Sequence, residues 1–128
     1  SWDVNFMFNQ QELDEILDWF GYERQIDLTD SGFVCELRTK GDERYVAVLR
    51  RWPGWYKQGI NIQENVDDYG KENVTVKLYG LDPAIDYTVE QFHNTSKDLE
   101  YSNSGNAMTF ETSPMDLGEV QLFRIAPK

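Results

Sequence analysis

The sequence predicts an all-β fold, an antiparallel β-sandwich of seven to nine strands with one short N-terminal helix. Three observations carry this. Apolar residues recur at period two in run after run, the signature of strands with one face buried. Clusters of Gly, Pro, Asn, Asp and Ser interrupt these runs every 8–12 residues or so, the spacing of a sandwich. A 3.6-residue period occurs in one place, near the N-terminus, so there is no strand–helix alternation of the kind that builds a parallel sheet.

Taken in chain order, Val4, Phe6 and Phe8 alternate with polar or smaller neighbours and read as a strand. Asn9 then caps a helix, with Glu12 three residues later as its capping-box partner and Phe8 and Leu13 as a hydrophobic staple. Leu13, Ile16, Leu17 and Phe20 repeat at helical spacing, Glu12, Asp14, Glu15 and Asp18 occupy the other face, and Gly21 stops the helix. Phe33, Cys35 and Leu37 alternate up to the turn Lys40-Gly41-Asp42. Residues 43–51 give the longest strand signal and are apolar on both faces in the middle, as expected of a central strand. Ile60 and Ile62 mark a further strand, and Val74, Val76 and Leu78 the next. After the turn Gly80-Leu81-Asp82-Pro83, Tyr87 and Val89 open another strand. Met108 and Phe110 belong to one more, and Val120, Leu122 and Ile125 to the last. The polar stretch from His93 to Asn106 reads as a loop. The whole chain, 1–128, is expected to form a single domain. Residues 1–21 are either a strand–helix appendage left from a preceding domain or a decoration sealing one sandwich edge.

The 128 residues carry 23 acidic and 12 basic side chains, a net charge of −11 spread evenly along the chain. Phosphate backbones need clustered Lys and Arg, so the balance argues against nucleic-acid partners and against anionic membranes. No apolar window is long enough for a membrane span. No leader opens the sequence, which begins with Ser1 and enters strand-like sequence at once, as an excised domain would.

The residues also narrow the chemistry. Cys35 is the single cysteine, which excludes an intrachain disulfide, a thiolate metal cluster and a CxxC motif; its alternation with Phe33 and Leu37 makes it a small buried hydrophobe. His93 is the single histidine and reads as a surface residue. Without a second histidine or cysteine there is no ordinary zinc set, and without a GxSxG elbow or a glycine-rich phosphate loop no nucleophile or nucleotide site is expected. Asp67, Asp68 and Glu72 lie in an acidic stretch whose spacing matches no EF-hand. Paired carboxylates can hydrolyse glycosides, but a sandwich of this size has little room for a deep cleft. The expectation is therefore no catalytic residue, no metal and no cofactor.

One segment stands apart. In Arg50-Arg51-Trp52-Pro53-Gly54-Trp55-Tyr56-Lys57, Pro53-Gly54 fits the centre of a type II turn, which brings Trp52 and Trp55 together with Tyr56 beside them. Three readings stay open. The rings are an apolar platform for a sugar, with Arg50, Arg51 and Lys57 as donors around it, they fold back over the core edge with the arginines stacked on them, or the patch docks on a neighbouring domain.

From residue 43 onward the runs GDERYVAVLRR, NVTVKLYGLDPAIDYTVEQF and AMTFETSPMDLGEVQLFRIAP resemble the small β-sandwich that follows the catalytic barrel in glycoside hydrolases of the alpha-galactosidase type. GLDPAIDYTV also resembles a strand pair of fibronectin type III domains. Both resemblances imply a β-sandwich. The first implies a non-catalytic accessory domain, covalently linked to a catalytic domain that it stabilises or borders, in a secreted or periplasmic enzyme. The alternatives are a carbohydrate-binding module using the Trp/Tyr loop and a fibronectin-like protein-interaction module.

Overall fold

The structure, a computed structural model, describes residues 10–52 and 69–128. The expected strand over 3–8, the Asn9 cap, the Pro53-Gly54 turn, Trp55, Tyr56, the Ile60–Ile62 strand and Asp67 and Asp68 lie outside the described residues. Helix α1 (Gln10–Trp19) is followed by β1 (Ile26–Leu28), β2 (Phe33–Lys40), β3 (Glu43–Arg50), β4 (Thr75–Tyr79), β5 (Tyr87–Phe92), β6 (Lys97–Leu99), β7 (Ser102–Ser104), β8 (Ala107–Glu111) and β9 (Val120–Pro127). Two antiparallel sheets form, in the orders β1-β4-β8-β7 and β2-β3-β9-β5-β6. The all-β sandwich is thus the fold of this chain.

The alternation read in the sequence sets the layers. Val76 and Leu78 of β4, with Met108 and Phe110 of β8, face Val46 and Val48 of β3, Val89 of β5, and Phe123 and Ile125 of β9 in one core. Phe110 and Phe123 join the two sheets, their ring centroids 5.2 Å apart. Tilted aromatic pairs at this distance add about 0.5–1.5 kcal/mol beyond the area they bury. The β2–β3 hairpin pairs Lys40 with Glu43 across a two-residue loop. Gly41 has φ +58° and Asp42 does not share the positive φ, the pattern of a type II′ turn that matches strand twist. Residues 43–50 are a central strand, paired to β2 on one side and β9 on the other.

Three features differ from the sequence reading. The stretch His93–Asn106 is not a plain loop: it contains β6 and β7, two three-residue strands held by pairing to β5 and β8. Their side chains are largely exposed, so no apolar alternation marks them. In β9 the inward row is Gln121, Phe123 and Ile125, while Val120 is 53% exposed. Strand β1, too short for a period to register, seals the edge of the smaller sheet against β4.

Helix α1 ends as expected, with Gly21 at φ +83° and the Gly21 and Tyr22 amides bonded back to Asp18 and Leu17. Its apolar stripe, however, is not part of the core: Ile16, Leu17 and Phe20 are 39%, 37% and 64% exposed. The helix lies beside the β1–β2 side of the sandwich. Arg24 ties it there, pairing with Asp14 on the helix and, at 3.0 Å, with Asp27 on β1.

Candidate functional site

Of the five residues singled out in the sequence, Arg50, Arg51 and Trp52 fall within the described residues, at the end of β3. Here the backbone is clamped from both sides. The Arg50 amide donates to the Glu119 carbonyl at 3.1 Å, the Gly118 amide donates to the Arg50 carbonyl at 2.8 Å, and the Arg51 amide donates to the Gly32 carbonyl at 2.8 Å.

The alternation Val46, Val48, Arg50 points the Arg50 side chain inward, where it is 4% exposed. A buried guanidinium needs acceptors, and main-chain carbonyls supply them. Nη1 donates to Gly70 at 2.6 Å and to Met115 at 2.8 Å, Nη2 donates to Tyr69 at 3.4 Å, and Glu72 stands 3.6 Å away. The sequence reading made Arg50 a donor around an open aromatic tip. The structure instead spends its donors on the two loops that flank the strand end, because strand parity turns the side chain into the protein. Arg51, of opposite parity, lines a cleft beneath helix α1.

Trp52 is half-buried with its indole seated on Gly118. That glycine sits in the turn Asp116–Glu119, closed by the Glu119 amide on the Asp116 carbonyl, and has φ +77°. A Cβ on residue 118 would stand 2.5 Å from Trp52 Nε1. Glycine is therefore required twice, by the backbone angle and by the approach of the ring. Trp52 and the Asp116–Glu119 turn thus form one packed corner at the end of β3.

Two open clefts flank the helix side. One, of about 760 Å³, lies between α1 and the β1–β2 edge, lined by Asp14, Leu17, Arg24, Asp27, Cys35 and Arg51 among others. The other, of about 1230 Å³, lies over the Gly80–Pro83 turn, Thr39, Arg44 and Asn103–Ala107. Cys35 borders the first, half-buried and packed against the core with Leu37. Burial, helped by the Asp27 charge, pushes its thiol up to about 11. A thiol so protonated is a poor nucleophile. Among the described residues no group of three or more His, Cys, Asp or Glu side chains is disposed to hold a metal ion. His93 is exposed, in a turn where it and Asn94 both adopt positive φ, 68° and 59°.

Glu43 shows how the acidic side chains are used on the outer face of the larger sheet. Its carboxylate accepts a hydrogen bond from the Tyr45 hydroxyl at 2.6 Å and pairs with Arg124. These two partners hold it below the usual carboxylate range. A general acid needs the opposite shift, so this carboxylate is a strap between β3 and β9.

Sequence reasoning also missed a polar cluster below the Arg50 corner. Gln121, 5% exposed, donates to the Ser113 carbonyl at 3.3 Å and to Glu119 at 2.7 Å, and the Ser113 hydroxyl donates to Gln91 at 3.1 Å. The signal available was glutamine at inward parity in two neighbouring strands.

No family model matches the chain, and no curated protein matches it by sequence. Among solved structures it is similar to alpha-L-fucosidase isoenzyme 2 from Paenibacillus thiaminolyticus, with a TM-score of 0.57 and 16% sequence identity. The similarity covers 91% of this chain and 17% of the fucosidase chain. At that identity the likeness is one of fold: nearly the whole of this sandwich superimposes on a minor part of a glycoside hydrolase chain.

Proposed function

We propose that this chain is a non-catalytic accessory β-sandwich domain of a larger carbohydrate-active enzyme, which it stabilises or borders. The observation that carries the reading is the unequal coverage: 91% of this chain aligns with 17% of an enzyme that is itself a glycoside hydrolase. The resemblance of residues 43–127 to the sandwich that follows a glycoside hydrolase barrel supports it independently. So does the use of chemistry-bearing groups as structure, with Arg50 on carbonyls, Glu43 on Tyr45 and Arg124, and the Cys35 thiol kept protonated. The reading carries with it a secreted or periplasmic location for the parent enzyme. The purified chain should turn over no chromogenic glycoside from a panel that includes α-fucosides and α-galactosides. Turnover that disappears on changing a single carboxylate would overturn the reading.

A second reading, a carbohydrate-binding module, is favoured by the bracing of Trp52 on Gly118. A half-exposed indole with fixed orientation loses little entropy on stacking against a sugar ring. On this reading Trp52, Trp55 and Tyr56 form the platform and Arg51 borders it. Soluble oligosaccharides should then quench or shift tryptophan emission, and Trp55→Ala should abolish the response. Binding that survives the Trp52→Ala, Trp55→Ala double change would remove the platform. A fibronectin-like interaction module would show instead as self-association or protein capture without any response to sugars.

A further inference from the structure

We infer that the face formed by helix α1 and the Gly21 turn is the surface by which this domain docks on the catalytic part of its parent enzyme, against an apolar socket rimmed by Lys and Arg. The inference rests on the accessory-domain reading and adds to it the place and chemistry of the contact.

The observations start with exposure. Trp19, Phe20 and Tyr22 are 81%, 64% and 65% exposed, and Ile16 and Leu17 adjoin them at 39% and 37%. Trp19 and Phe20 already meet edge to face, centroids 4.7 Å apart at 78°, so they form one patch rather than two stray rings. Together the five side chains present on the order of 500 Å² of apolar surface. That is more than half of the roughly 800 Å² each partner contributes to a standard interface, and it falls in the range expected between domains of one chain.

Position and charge identify the occupant. The helix period that places Ile16, Leu17 and Phe20 on one stripe is the pattern of a core-facing helix, yet among the described residues the core cluster takes no side chain from it. Arg24 fixes the helix beside β1, which holds the patch outward in one orientation. Asp18 and Glu23 flank the aromatic turn in sequence. A second copy of this chain would bring a like-charged helix, and the net charge of −11 adds to that repulsion. A socket with a cationic rim meets both the apolar centre and the acidic surround.

The test compares two forms of the protein by hydroxyl-radical footprinting: the isolated 128-residue chain, and the native polypeptide captured from source cells with antibody to this chain. Trp19, Phe20 and Tyr22 should label freely in the isolated chain and at least about fivefold more slowly in the native polypeptide. Zero-length carbodiimide treatment of the native polypeptide should join Asp18 or Glu23 to lysines outside the 128 residues. Trp19→Ala with Phe20→Ala should leave the melting temperature of the isolated chain within about 1 °C and lower that of the parent. Equal labelling in both forms, or protection shifted to Tyr45 and Phe92 on the outer face of the larger sheet, would overturn the docking surface while leaving the accessory reading intact. Protection already present in the isolated chain would mean that the chain covers its own helix, and would overturn it as well. A native polypeptide of 15 kDa would remove the accessory reading itself.

Discussion

Replacing Arg50 by Met keeps the aliphatic stem in the core and removes the guanidinium alone. The consequences follow from the acceptors left behind. The Met115 carbonyl keeps one donor, the Glu72 amide at 3.1 Å, whereas the Gly70 carbonyl loses its 2.6 Å partner. Replacing a buried ion pair with apolar groups can be neutral, since it also relieves desolvation. Here the acceptors belong to the main chain and stay, so the substitution removes one side of the interaction and not both. Two short charge-assisted bonds at about 1.5–3 kcal/mol each, less the desolvation relieved, give a loss of about 3 kcal/mol. A domain of this size has a total stability on the order of 5–15 kcal/mol, and the melting temperature should fall by roughly 10 °C. Urea unfolding followed by circular dichroism, with thermal melts alongside, reads both quantities. Glu72→Gln serves as the contrast: its carboxylate is more than half exposed and 3.6 Å from Arg50, so a change within about 0.5 kcal/mol is expected. An Arg50→Met loss below about 1 kcal/mol would refute the argument that the guanidinium holds the two loops to the strand end.

Three further outcomes follow from the same geometry. Gly118→Ala should cost about 1–2 kcal/mol for the positive φ alone, and should move the emission maximum to the red as the Trp52 indole is pushed off its seat, a shift absent when Trp52 is already Phe. Cys35, its thiol pushed up to about 11, should react with iodoacetamide at pH 8 about 100-fold more slowly than a free cysteine, and unfolding in urea should abolish the difference. Glu43 has its folded pKa lowered from the ordinary 4.5, so its contribution is present above that value and fades as pH falls through the folded pKa. Between about pH 5 and pH 3 the native chain should therefore lose more stability than Glu43→Gln does, and equal losses would dismiss the Tyr45–Arg124 strap.

What could be read beforehand was what local pattern controls. Strands β2, β3, β4, β5 and β8 each have enough alternating side chains to reveal a face, and the turn residues Gly41 and Gly80 mark their ends. Helix α1 announced its period and its stop at Gly21. Its exposure could not be read, because a periodic stripe records that a face is apolar and not what covers it. Strands β6 and β7 escaped for the opposite reason: they are held by main-chain pairing to β5 and β8, which leaves polar side chains no pattern to keep. In β9 both parities carry apolar residues, and the choice of Phe123 and Ile125 as the inward row follows from register against β3 and β5. Arg50 was visible as part of an aromatic and basic segment, but its partner Met115 is 65 positions away, and a hydrogen bond of that range leaves no trace in spacing. The packing of Trp52 on Gly118 is non-local in the same way.

The central claim is that this sandwich belongs to a larger enzyme, and the mass of the native polypeptide tests it most directly. An immunoblot of source cells with antibody raised against the chain, whose own mass is 15.0 kDa, should show a band several times heavier, and the captured material should hydrolyse a glycoside that the isolated chain does not. A native band near 15 kDa would contradict the account and turn attention to the Trp52 corner as the working surface of a protein that acts alone.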